Sequence, residues 1–220
     1  MKSLMAADSP LQRILGRVAD VMILNLLFLV TSLPLITLGA SLTALSRTAL
    51  EMVDDRQDSV PGTYLRAFRQ NLRQATILLG IAVAAVAVLL AWLLVVSALD
   101  VSPLLVGLAY AVIAVVALRL LVILCFLFPY QATFEGGTRE VITAARKMSA
   151  RHPVAALGMV AVLVLPVVVT VTEPALAGYG LFWLLFGAGA IACVNALLLR
   201  SVFSRYIPTE TTPDLKETSR

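Results

Sequence analysis

A 220-residue chain with 60% hydrophobic side chains, a mean hydropathy of +0.95 and a net charge of +4 lies outside the range of a soluble domain. Its loops are too short for a soluble catalytic domain, and its cations flank apolar runs instead of forming a nucleic-acid-binding patch. What remains is an all-α, polytopic helical membrane protein, one membrane domain over residues 1–208 with a polar, disordered tail at 209–220.

The first apolar run covers residues 21–45 and is interrupted by Pro34. Arg13 and Arg17 precede it, in the manner of a signal peptide. Leu38, however, stands where a cleavage site before Gly39-Ala40 needs a small residue, and the run continues past it, so the segment is expected to stay. Pro34 removes the hydrogen bond to the Val30 carbonyl and clashes with that turn, while Thr31, Ser32 and Thr37 offer replacement partners. A kinked single span is the preferred reading, and a re-entrant hairpin is the alternative. The stretch Ser41–Val53 that follows is amphipathic enough to leave the bilayer as a helix.

A basic amphipathic segment comes next, over residues 63–75. Leu65, Phe68 and Leu72 recur at helical spacing, and Arg66, Arg69 and Arg73 occupy a different arc. Such a helix suits the membrane–water boundary, and it is also a candidate partner-docking surface. Apolar segments at 76–99 and 103–130 then form a hairpin around Asp100 and Pro103. A second basic helix at 138–151 carries Val141, Ala145 and Met148 on one side, and segments at 154–172 and 178–199 follow around Glu173 and Pro174. Each segment meets or approaches the roughly 20 residues that a helix needs to cross a bilayer.

The charge pattern orients the chain. The turns at 100–103 and 173–177 lack Lys and Arg, whereas the other loops and the C-terminal stretch carry clusters of Arg, joined by Lys147 and Lys216. The basic loops and the C-terminus are therefore expected in the cytoplasm. Only the N-terminus conflicts: a single first span would put Lys2, Arg13 and Arg17 outside, and a hairpin would bring them back in. The succession of basic helix, span, acid-and-proline turn, span and aromatic anchor occurs twice, at about 63–130 and 138–208, ending in Phe128-Pro-Tyr130 and Tyr206-Ile-Pro208. Two parallel copies of one unit are the expectation.

Arg119 is the only charged residue within 103–130 and sits near its middle. A cation at that depth faces the bundle interior or snorkels to the interface. Asn25, Asn195 and the carbonyl freed at Val30 are its candidate partners, and a structural tie is preferred over a substrate contact. Asn25 and Asn195 read as interhelical hydrogen-bonding groups. Gly187 and Gly189, beside Ala188 and Ala190, form a close-packing surface and not a phosphate loop, because no strand precedes them. Asn71 is placed to cap or bridge to a neighbouring loop. His152 is the only histidine, and with Pro153 it marks a helix junction. Cys125 and Cys193 lie within apolar runs and read as packing residues. No catalytic, cofactor-binding or metal-binding set emerges, so no cofactor and no enzymatic activity are expected.

Four stretches carry a family resemblance. Asn25 through Pro34, continuing to Thr37, Gly39 and Ala40, fits N-x(6)-S-L-P-x-x-T-x-G-A. Phe68 through Ala75 fits F-[KR]-x-N-[FL]-[KR]-Q-A. Phe128-Pro-Tyr-Gln-Ala-Thr-Phe134 precedes a basic helix ending at Arg151-His-Pro153, and residues 195–206 resemble a closing helix. Together they resemble the YesL family of bacterial multi-pass membrane proteins, a domain-of-unknown-function family. The resemblance implies the bacterial cytoplasmic membrane and an accessory or regulatory subunit assisting an ABC-type carbohydrate uptake system, with sugar permease subunits as partners beside the lipid bilayer. It brings no catalytic residues. The alternative is an autonomous small-solute transporter or channel.

Overall fold

A computed structural model of the chain describes residues 10–56, 59–172 and 180–203. The described residues are helical with no strand: α1 (Pro10–Ser32), a 3-10 turn (Leu35–Thr37), α2 (Leu38–Val53), α3 (Val60–Ser97), α4 (Pro103–Thr133), α5 (Thr138–Arg151), α6 (Pro153–Thr172) and α7 (Gly180–Phe203). Of these, α1, α3, α4, α6 and α7 are long and apolar enough to cross a membrane. The turn at 173–177, the Tyr206-Ile-Pro208 anchor, the tail at 209–220 and the cations Lys2, Arg205, Lys216 and Arg220 lie outside the described residues.

Pro34 divides the first apolar run, and the chain reverses there. The proline is extended at φ −76°, ψ 109° and cannot continue α1. Hydroxyls take up the backbone groups of the bend: Thr37 Oγ1 donates to the carbonyls of Thr31 (2.6 Å) and Pro34 (2.7 Å), and Ser32 Oγ to that of Leu29 (3.0 Å). Beyond the bend, Ser41 Oγ on α2 donates back to Thr31 Oγ1 on α1 at 3.0 Å. At the far end Arg17 of α1 pairs with Asp55, just past α2, at 2.7 Å. Contacts at both ends make α1 and α2 an antiparallel hairpin, which corrects the preferred kinked span. The run 21–45 is thus two elements, with α1 starting eleven residues earlier, at Pro10.

Small side chains let α2 sit at the centre of the bundle. Gly39, Ala40, Ala44 and Ala49 are buried, and Thr43, Ser46 and Thr48 donate to the carbonyls four residues earlier on their own helix. A Cβ on Gly39 would collide with the Ala75 carbonyl of α3, so the two backbones approach as closely as glycine allows. Since α3 begins soon after α2 ends and reaches Gly39 only at Ala75, these helices are antiparallel.

The basic segment 63–75 and the span 76–99 form one uninterrupted helix, α3, of 38 residues. Neither proline nor a buried polar break separates them, so the change from amphipathic to wholly apolar sequence changes the surroundings and not the backbone. By contrast, α5 stops at His152 (φ −123°, ψ 64°), ahead of Pro153, and α6 starts afresh. The two proposed repeat units therefore differ at this junction: one joins its basic helix to its span, the other breaks between them.

Two apolar clusters form the core. One joins Leu24, Leu45, Met52, Tyr64 and Ala196, and the other Leu78, Phe126, Val141, Met159 and Leu199. Elsewhere, large apolar side chains point outward along α3, α4, α6 and α7, with Leu104 82% and Val171 74% exposed. The hairpin tip is equally apolar, with Leu33 at 79% and Leu35 at 77%. Surfaces of this extent are covered by lipid.

Candidate functional site

A polar cavity of about 650 Å³ lies between α2, the first turns of α3 and the end of α4. Helical spacing builds its walls. Arg47 and Glu51 are one turn apart on α2, and Thr63, Arg66, Gln70 and Gln74 follow one face of α3. The third wall is Gln131 with the segment Phe134–Gly136 after α4.

Several of these groups hold the cavity's shape. Arg47 Nε donates to Glu51 Oε1 at 2.6 Å, and its Nη1 to the Ala132 carbonyl at 2.8 Å, tying α2 to the end of α4. Gln74 Nε2 donates to the Gly136 carbonyl at 2.8 Å. Asn71 Nδ2 bonds within its own helix, to Ala67 O at 3.0 Å, so the bridge to the neighbouring loop comes from Gln74 and not from Asn71. Gln131 is only 4% exposed; its Oε1 accepts from Thr43 Oγ1 at 3.2 Å, while its Nε2 has no hydrogen-bond partner among the described residues. An orphaned amide nitrogen at that depth costs about 1–3 kcal/mol unless a guest fills its valence.

The residues singled out in the sequence do not converge on this cavity. Asn25 joins α1 to α7: Nδ2 donates to the Leu184 carbonyl at 2.6 Å, and its Oδ1 accepts from the Gly189 N–H at 2.9 Å. At Gly189 the two backbones come close, since a Cβ there would lie 2.8 Å from the Val21 carbonyl. Gly187 faces its own helix's Trp183 instead. Arg119 reaches none of its expected partners. Its Nη2 donates to the Arg146 carbonyl of α5 at 3.3 Å, because the long side chain runs toward the basic helix and leaves the bundle interior to apolar groups. Asn195 lines a separate apolar cleft of about 550 Å³ walled by α1, α2, α3, α4, α6 and α7, with its Oδ1 buried and without a partner among the described residues.

The docking candidates separate into two sets. Arg66, Arg69 and Arg73 are exposed, as are Leu65 and Leu72. Phe68 is not free: it stacks on Tyr64 with centroids 6.4 Å apart and packs on the core. Sequence reasoning missed Arg47, Gln74 and Gln131, which meet only through the packing of three helices. The one available signal was their polarity beside apolar runs. Among the described residues, no group of three His, Cys, Asp or Glu side chains could hold a metal ion.

The fold and its outward apolar surface define a multi-pass helical membrane protein. Residues 21–93, from mid-α1 through the hairpin to late α3, match a family described as "Protein of unknown function, DUF624". That match holds the first two cavity walls but not Gln131. No curated protein and no solved structure matches the chain.

Proposed function

We propose that the chain is a non-enzymatic integral membrane subunit that docks onto the permease pair of an ABC-type carbohydrate uptake system in the bacterial cytoplasmic membrane, where it assists or regulates import. The observation that supports this most is the outer face of α3. Arg69 and Arg73 project from it with no ion pair among the described residues, and Leu65 and Leu72 are exposed beside them. Apolar anchors ringed by unpaired cations suit an acidic, partly apolar protein surface. The carbohydrate assignment comes from the YesL-like sequence blocks.

Charge placement supports a cytoplasmic docking face. Arg17, Arg56 and Arg200 gather around Asp54 and Asp55, so the start of α1 and the ends of α2 and α7 lie at one end of the bundle. The positive-inside rule assigns that end to the cytoplasm. The experiment is a pull-down of the permease pair by tagged protein carrying Leu72→Glu or Arg69→Glu with Arg73→Glu. Both variants should fold and lose most of the permease. Full retention of the permease by folded variants would make α3 a membrane anchor only.

A further inference from the structure

The polar cavity has no part in the docking reading, yet its chemistry selects a guest. We propose that it is a binding site for a neutral, hydroxyl-rich small molecule, a mono- or disaccharide or a related polyol. Charge comes first. The cavity holds two cations, Arg47 and Arg66, and two carboxylates, Glu51 and Glu135. Arg47 is already committed to Glu51 and to the Ala132 carbonyl. The walls are thus close to electroneutral, and a guest with a full net charge would be left with an uncompensated partner.

Hydrogen bonding narrows the class further. Thr43 has one hydroxyl proton and lies within reach of both the Gly39 carbonyl (3.0 Å) and Gln131 Oε1 (3.2 Å). If the proton goes to Gln131, the amide nitrogen is left over. If it goes to Gly39, the amide can turn to donate to Thr43, and its oxygen is left over. Either way one polar end of a nearly fully buried side chain lacks a partner. The unpartnered atom itself lies beneath the cavity surface, so a guest meets it only when the Gln131 side chain turns outward; a hydroxyl then satisfies both cases, because it donates and accepts. Gln74 and Asn71 on the cavity wall each use the amide nitrogen on a backbone carbonyl, and among the described residues nothing donates to either amide oxygen, so both can accept from a guest. A set of amide groups around the Arg47–Glu51 pair matches a guest that offers several hydroxyls. The cavity volume is in the range of small-molecule sites.

This inference does not rest on the docking reading, and the test needs no partner. The full chain is purified without a sugar-based detergent and placed in lipid nanodiscs. Its thermal unfolding is then followed against a panel of mono- and disaccharides, with inorganic phosphate and glutamate as charged comparisons. At least one sugar should raise the unfolding temperature saturably, as binding to the native state must. Gln131→Leu should weaken that binding at least tenfold. Because this change is in the core, Gln74→Ala, on the cavity wall, is the second variant and should weaken binding likewise; Arg69→Ala, outside the cavity, should leave it unchanged. The proposal is overturned if no sugar shifts the transition, if phosphate or glutamate does so instead, or if both folded cavity variants bind the sugar as the wild type does.

Discussion

The Gly189 N–H donates to Asn25 Oδ1 at 2.9 Å, while Asn25 Nδ2 donates to the Leu184 carbonyl at 2.6 Å, so one amide side chain of α1 joins two backbone groups of α7. The contact exists because Gly189 has no side chain: a Cβ would stand 2.8 Å from the Val21 carbonyl and 3.3 Å from Asn25 Cβ. Gly189→Ala should therefore push α1 off α7 and cost about 1–3 kcal/mol. Asn25→Leu should cost about 0.6–2 kcal/mol, the range for interhelical hydrogen bonds in membranes. Unfolding of the two single variants and the double variant checks the link. The effects should be less than additive, since each removes the same bond; full additivity would mean that the two residues act separately.

Gly39 sets a second close approach, against the Ala75 carbonyl and Leu79. A Cβ here would stand closer to the Ala75 carbonyl than the 2.8 Å that separates one at Gly189 from the Val21 carbonyl, so Gly39→Ala should destabilise by at least as much as Gly189→Ala. Gly80 and Gly107 have nothing within 4 Å of a built Cβ. Alanine at either should be neutral or slightly stabilising, because it removes helix-interior glycine. Thermal melts of the four alanine variants in one detergent make the comparison.

The α1–α2 hairpin fixes the side on which the N-terminal helix begins. With Cys125 and Cys193 replaced, single cysteines at Arg13, Gly136 and Val101 can be labelled from either face of the membrane. Arg13→Cys and Gly136→Cys should react from one side and Val101→Cys from the other. Labelling of Arg13→Cys together with Val101→Cys would mean that the first run crosses once and that the hairpin is wrong.

Arg119 lies toward the outside of the bundle, and its 3.3 Å bond to the Arg146 carbonyl is exposed. Arg119→Leu should change stability by no more than about 1 kcal/mol, the net value of one ordinary hydrogen bond. Reconstituted protein should show the same partner binding with either residue. A collapse of the fold on this substitution would show that the guanidinium has an unseen role in the interior.

Much of this architecture was legible because bilayer length and charge asymmetry act on long stretches of sequence. The span from Pro103 and the basic helix Thr138–Arg151 could be read directly: proline marks one end of each, or the junction after it, and composition does the rest. The first run was harder. Pro34 signalled a break, but only tertiary contacts, Ser41 to Thr31 and Arg17 to Asp55, decide between a bend and a reversal. Asp20, Arg17 and Arg13 also hid the first turns of α1, since polar residues at a helix end lower the apolar signal there. The continuity of α3 was missed because a shift in hydropathy is not a backbone signal. The cavity was illegible for another reason: Arg47, Gln74 and Gln131 come from three helices, and no local spacing records their meeting.

The central claim, a subunit that docks through α3, is tested most directly by mild-detergent affinity purification of the tagged chain from its native membrane, with mass spectrometry of what accompanies it. The account predicts an ABC permease pair in stoichiometric amounts, lost when Arg69 and Arg73 are replaced by glutamate. Recovery of the folded chain alone would contradict it and leave an autonomous membrane protein in its place.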